Sequence, residues 1–151
     1  MYEFVDERGR AQNLGGSALI AILALFISLS GGSFASYTIG LFGVAFAALL
    51  AALSFRAFEL DLRGGMLTMH GYLRRSSIPL EMIDTVEIGP QFRGLRQGLG
   101  IKVGLRDGRW TNTTVRSGVV VLRNDENGRY RLDQFARRLA AESGADFRGG
   151  D

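Results

Sequence analysis

Residues 11–55 contain no Asp, Glu, Lys or Arg, and only Ser30-Gly31-Gly32-Ser33 interrupts this uncharged stretch. A helix crossing roughly 30 Å of hydrocarbon needs about 20 apolar residues. The stretch therefore has the length for two spans joined by a tight turn, residues 14–29 and 34–55. A transmembrane helical hairpin is the expected anchor, and the rest of the chain must be arranged about it.

Residues 1–13 form a short N-terminal tail of mixed charge, with Glu3, Asp6, Glu7, Arg8 and Arg10. A cleaved signal peptide is the alternative, since Ser33-Phe34-Ala35 loosely resembles a small-residue cleavage site. The three acids of the tail and a second full-length span directly behind the first favour an uncleaved anchor. Arg8 and Arg10 precede the first span, Arg56 and Arg63 follow the second, and the connecting turn is uncharged. Under the positive-inside rule both termini and the soluble domain face the cytoplasm, in an integral inner (cytoplasmic) membrane protein.

Neither span holds an Asp, Glu, Lys, Arg or His, so proton relays and ion pathways lack the groups they use. Transport by this chain alone is not expected. Small residues let helices approach closely in lipid. Gly43, Ala47 and Ala51 recur at four-residue spacing on the second span, and Ser17 and Ala21 form a similar patch on the first. Their first reading is packing of the two helices on each other; their second is docking of another subunit or a second copy.

Composition bounds the remainder. The chain has 151 residues and no cysteine, which removes disulfides, thiolate metal sites and cysteine nucleophiles. Glycines punctuate the polar half at Gly64-Gly65, Asp107-Gly108 and Asn127-Gly128, marking short strands rather than disorder. Phe58, Leu60 and Leu62 alternate with Glu59, Asp61 and Arg63, the period of a half-buried strand. Further strands are expected at residues 66–72, 73–79 and 80–88, the last opening in a short turn. Residues 91–100 (QFRGLRQGLG) read as an irregular loop containing Arg93 and Arg96. Ile101, Val103 and Leu105 begin the next strand, which turns at Asp107-Gly108 into Trp110. Residues 118–122 read as a buried strand and residues 129–132 as a final one. A helix follows, capped by Asp133 and stopped at Gly144, with Leu132, Phe135, Ala136, Leu139 and Ala140 as its apolar stripe. The tail 145–151 reads as loose. The fold class expected is α+β: a hairpin, then about seven strands curling into a small antiparallel barrel or sandwich capped by the C-terminal helix over residues 56–144.

Arg74-Arg75-Ser76-Ser77-Ile78-Pro79, followed by Ile83 and Val86, and Gly128-Arg129-Tyr130 with Leu132-Asp133-Gln134-Phe135 and Leu139, resemble stretches of bacterial pleckstrin-homology-like domains. The similarity covers residues 57–142 together with the hairpin, a layout found among small prokaryotic membrane proteins. What the resemblance implies is a scaffold or assembly module, sometimes oligomeric. It does not imply phosphoinositide recognition, which belongs mainly to eukaryotic relatives.

Chemistry has few parts to work with. His70 is the only histidine, so neither a His-paired metal site nor a Ser-His-Asp arrangement has its components. Gly98-Leu99-Gly100 lacks the lysine and helix of a phosphate loop. Trp110, Tyr72 and Tyr130 form no basic–aromatic stripe of the kind that binds nucleic acid. No enzyme activity, cofactor, metal or nucleic-acid partner is expected. The arginines remain. Arg56, Arg63, Arg74, Arg75, Arg93 and Arg96 are candidate ligands of anionic lipid headgroups, which attract basic residues by about 1 kcal/mol each. Against this, Glu59, Asp61, Glu81 and Glu87 dilute the field, so solvated faces and topology signals are the first reading.

The function expected is a non-catalytic, membrane-anchored scaffold whose cytoplasmic domain associates with protein partners or with itself. The alternatives are an accessory subunit held to a larger integral-membrane complex through Gly43, Ala47 and Ala51, or a lipid-headgroup binder.

Overall fold

A computed structural model describes residues 2–55, 57–93 and 96–149, as two compact units. Residues 10–56 form one. The other joins residues 1–9 to residues 57–151.

The helical unit is the hairpin. Helix α1 (Glu7–Gly31) and helix α2 (Phe34–Ser54) are 25 and 21 residues long, and both are long and apolar enough to cross a membrane. The chain reverses where Gly32 takes φ +57°, and Ser33 caps α2 by accepting the N–H of Ser36 at 3.2 Å. Such a cap satisfies one of the four N–H groups that a helix start leaves bare. Only 11% of the most apolar window of each helix is buried, and Leu19, Ile22, Phe26, Leu41 and Phe42 are exposed.

The second unit is a β structure into which the hairpin is inserted. Strand β1 (Tyr2–Val5) precedes α1, and β2 (Glu59–Arg63) follows α2. The two pair antiparallel, with Val5 opposite Glu59. Residues expected as a free tail are therefore the edge of a sheet, and Phe4 is buried in the core. Strands β3 (Met66–His70) and β4 (Arg75–Pro79) complete a four-stranded sheet in the order β1-β2-β3-β4. The tight turn between β2 and β3 uses two left-handed glycines, Gly64 and Gly65, where other residues would be strained.

Pro79 ends β4, and a 3-10 turn at Leu80–Met82 carries the chain into a second sheet. Strand β5 (Ile83–Arg93) pairs antiparallel with β6 (Arg96–Leu105), and β7 (Trp110–Asn112) pairs with β6. The expected loop at 91–100 is strand at 91–93 and 96–100, residues 94 and 95 lying outside the described ones: Gln91 pairs with Gly98 and Pro90 with Leu99, continuing the ladder of β5 and β6. Its glycines suggested a loop, but they make room for neighbours. A Cβ on Gly98 would strike the Val121 carbonyl, and one on Gly100 would meet Cγ of Gln91 at 2.8 Å.

Helix α3 (Thr113–Ser117) was not expected. Its N-cap is Asn112, whose side chain accepts from Thr114 N–H at 2.9 Å, and Gly118 closes it in the left-handed region at φ +80°. The expected strand at 118–122 shortens to β8 (Val121–Leu122), paired with β6. The expected strand at 129–132 is helical. Helix α4 (Glu126–Ser143) starts one element earlier because Asp125, not Asp133, is the cap and accepts from Gly128 N–H at 3.1 Å. Gly144 does end it, at φ +68°. The expected loose tail contains β9 (Asp146–Arg148), which lies parallel to β5.

The core lies between the two sheets and the apolar face of α4, with Leu60, Leu67, Ile83, Ile101, Phe135 and Leu139 fully buried. The barrel expected from the strand count is not closed. Beyond β4 the chain leaves through Pro79, a residue that cannot donate to a ladder, and the second sheet orders separately as β7-β6-β5-β9. The result is α+β, with antiparallel and mixed sheets.

Candidate functional site

The point at which the β unit passes into both long helices is built around Phe58. This residue is buried, 1% exposed, and takes φ +66°, a conformation costing a non-glycine residue roughly 1–2 kcal/mol. Its neighbours hold it there. Phe58 N–H donates to the Ser117 carbonyl at 3.0 Å, and the Phe58 carbonyl accepts from Asp6 N–H at 2.9 Å. Asp6 in turn caps α1, its carboxylate accepting the N–H of Gly9 at 2.8 Å and that of Val120 at 3.4 Å. Ion pairs of Arg8 with Asp125 (3.5 Å) and of Glu7 with Arg131 (3.3 Å) tie the first turn of α1 to α4.

Beside this junction lies an open cleft of about 310 Å³ between the turn at 71–74 and residues 115–118. Gly71 N–H closes the turn on the Arg74 carbonyl at 3.0 Å. A Cβ on Gly71 would collide with the Arg116 carbonyl, so only glycine lets the turn press this closely against α3. The Tyr72 ring meets Phe58 edge-on, with centroids 5.5 Å apart. At the rim two aliphatic side chains stand in the open, Leu73 at 84% and Val115 at 80% exposure. Arg74 and Arg116 line the cleft with them, and Arg75 is next in the chain. Arg116 donates to the Ser76 hydroxyl at 2.5 Å, and Arg74, Arg75 and Arg116 form no ion pair with any described residue.

The arginines singled out from the sequence do not form one cluster. Arg74 lines the cleft, and Arg75 follows it as the first residue of β4. Arg63 ends β2, opposite Met66, whereas Arg75 pairs with His70 at the other end of the same sheet. A five-residue strand separates those two ends by about 13 Å. Arg93 and Arg96 are register partners at the far ends of β5 and β6; their side chains, and Arg56 altogether, lie outside the described residues. Of the acids expected to dilute the field, Glu87 is paired with Lys102 at 3.6 Å. Arg116 escaped the sequence reading because nothing there marked α3.

Within the hairpin, Gly43 approaches Ala24 so closely that a Cβ on it would sit 2.6 Å from that methyl group. Ala47 and Ser17 are buried, and the Ser17 hydroxyl donates to the Asn13 carbonyl at 2.9 Å; Ala21 and Ala51 are half-buried. Gly40, not singled out from the sequence, packs tighter still, its α-carbon facing Ser28 and the Ala24 carbonyl. His70 ends β3 half-buried, and its Nε2 meets no hydrogen-bond partner. Among the described residues no group of three His, Asp or Glu side chains is placed to hold a metal ion. Comparison of the chain with protein-family models and with curated proteins gives no match.

Proposed function

We propose that this chain is a membrane-anchored, non-catalytic assembly module. In this reading α1 and α2 cross the inner membrane as a hairpin, and the β unit on the cytoplasmic side associates with protein partners or with a second copy. The observation that carries it is the pair of long helices, free of charge from residue 11 to residue 55, whose apolar side chains are left largely uncovered. A core helix of a soluble protein would have its apolar face buried, and burying each such side chain is worth about 1.5–3 kcal/mol. Lipid supplies that burial.

The insertion of the hairpin between paired strands supports a common side for its two ends. The chain leaves the sheet at Val5 and rejoins it at Glu59, its register partner, so both helices start from one place in the β unit. Arg8, Arg10 and Arg63 then supply the positive-inside bias. Removal of α1 with the tail as a signal peptide would strip the sheet of β1 and the core of Phe4, which favours retention of the hairpin.

A pleckstrin-homology-like identity for the β unit rests on the sequence resemblance and on two antiparallel meanders followed by a helix over the core. For an association role the support is two exposed aromatic side chains at separate places on the second sheet, Phe92 beside Gln97 and Trp110 beside Gly104. An accessory-subunit contact through Gly43 has less room, because that face already packs on Ala24.

Extraction of the full chain in mild detergent followed by native mass spectrometry tests the reading. A self-oligomer or defined foreign subunits agree with an assembly role, the second outcome identifying an accessory subunit. A lone monomer that turns over a substrate contradicts it.

A further inference from the structure

We propose that the cleft between residues 71–74 and 115–118 docks on the anionic membrane surface, taking the phosphate of a lipid headgroup. This inference rests on the reading of α1 and α2 as spans, and it assigns lipid contact to Arg74, Arg75 and Arg116 rather than to the juxtamembrane arginines as a group.

Placement is the first argument. Ser117, in the cleft wall, holds the main chain of Phe58, and Tyr72, in the opposite wall, packs on its ring. Phe58 comes four residues after the end of α2, a tether of about 14 Å at full extension. Asp6, bonded to Phe58, directly precedes α1. The cleft thus adjoins Asp6 and Phe58, the two points at which the chain leaves and re-enters the β unit, so connectivity keeps it on a short tether to the helical segment.

The second argument is the pairing of side-chain types. Leu73 and Val115 protrude from adjacent tips, where in water they gain nothing. At an interface their burial is favourable, and the cations beside them complete an amphipathic rim. Guanidinium groups grip phosphate oxygens through a planar fork of donors. Elsewhere Arg109, Arg137 and Arg138 are each held by a carboxylate at 2.8 Å or less, whereas Arg74 and Arg116 at the cleft and Arg75 next to it have no carboxylate partner among the described residues. Arg63, Arg106, Arg123 and Arg129 likewise have no ion pair among the described residues, so what sets Arg74 and Arg116 apart is their place beside Leu73 and Val115. Gly71 keeps the two tips together and so fixes the spacing of the arginines.

The chain has no cysteine, so single sites can be labelled in the full-length protein. Leu73→Cys, Val115→Cys, Ala141→Cys and Leu23→Cys variants, each carrying an environment-sensitive fluorophore, are reconstituted in nanodiscs. The discs contain phosphatidylcholine alone or with phosphatidylglycerol, and carry quenchers at the headgroup or at mid-bilayer depth. The label at 23 reports the span, and the exposed one at 141 on α4 is the remote control. Headgroup quenching at 73 and 115, stronger in the anionic discs and absent at 141, is expected. Arg74→Gln and Arg116→Gln should each lower the docked-to-free ratio roughly fivefold. If the label at 23 escapes the mid-bilayer quencher, the membrane reading falls and this inference with it. If 23 is quenched but 73 and 115 are not, the inference alone is overturned. It is also overturned if their quenching ignores both lipid charge and the arginines, or if they are shielded from aqueous iodide without lipid quenching, which indicates a protein partner.

Discussion

The N–H of Asp6 donates to the carbonyl of Phe58 across 2.9 Å, joining the residue where the chain leaves the β unit to the one where it returns. One buried carboxylate therefore serves three tasks. Its main chain bridges the two crossings, its side chain caps α1, and the same side chain binds Val120 N–H. Phe58, in its left-handed conformation, is stable only while those partners remain.

Asp6→Ala is expected to destabilise the β unit by about 1–3 kcal/mol, since it removes a helix cap and leaves a buried N–H without an acceptor. Asp6→Asn, which keeps one of the two acceptor oxygens, should lose less. Thermal unfolding of the full chain in mild detergent, followed through Trp110 fluorescence, measures both. Equal loss in the two variants would show that both acceptor oxygens are needed, since the amide can serve Gly9 or Val120 but not both.

In the hairpin, Gly40→Ala is expected to separate α1 from α2, because its Cβ would overlap the Ser28 side chain and stand 2.8 Å from the Ala24 carbonyl. Ser28→Gly added to it should restore part of the packing, since only the side-chain clash is relieved. Proximity labelling between the helices, read as excimer formation from paired pyrene labels, reports the separation. An unchanged excimer signal in Gly40→Ala would mean that the helices adjust by a small shift and that close approach at this position is unimportant.

Features legible in the sequence were those set by neighbouring residues. Lack of charge marked both helices, the turn at Ser30-Gly31-Gly32-Ser33 marked the break between them, and alternation with Gly64-Gly65 marked β2 and β3. Features set by distant partners were not legible. Tyr2–Val5 carries no strand signal strong enough to stand alone, and it is a strand because β2 lies beside it. Residues 113–117 (TTVRS) are rich in β-branched residues, and only Asn112 and Gly118 at their ends dictate a helix. That short helix brings Arg116 to the turn carrying Arg74, a meeting of residues far apart in the chain. At α4 the Asn127-Gly128 pair suggested a turn, but the cap from Asp125 and the acid Glu126 in the first turn offset its weak helix propensity.

The C-terminal strand yields another prediction. Phe147 on β9 packs against the core, and the Arg137 guanidinium stands 4.8 Å from its ring centroid. Phe147→Ala should cost roughly 1–3 kcal/mol and loosen β9 from β5. Hydrogen exchange read at Val86 and Glu87 is the direct measurement, because Phe147 and Arg148 are their register partners. Exchange rates there unaffected by the substitution would show that β9 is held by its backbone alone.

The last prediction concerns pH. At the β6–β7 turn the Arg109 side chain donates to Asp107 at 2.7 Å, and the Arg109 main-chain N–H donates to the same carboxylate at 3.0 Å. The side-chain bond first, and the backbone bond second, hold the Asp107 carboxyl below its ordinary value of 3.8. A carboxyl whose folded value is depressed stabilises the fold at every pH above its unfolded value, and that contribution disappears as pH falls through the folded one. The pair is fully exposed, so the effect is small and is further reduced by salt. Wild type should therefore be more stable than Asp107→Asn at pH 7. The gap should hold at pH values above 3.8 and close as pH falls below it through the lowered folded value. Thermal unfolding of the two proteins across that range, at low and high salt, gives the gap directly. A gap of the same size at both ends of the range would assign the stabilisation to the shape of the turn, where Gly108 at φ +82° also contributes, and not to the charge on Asp107.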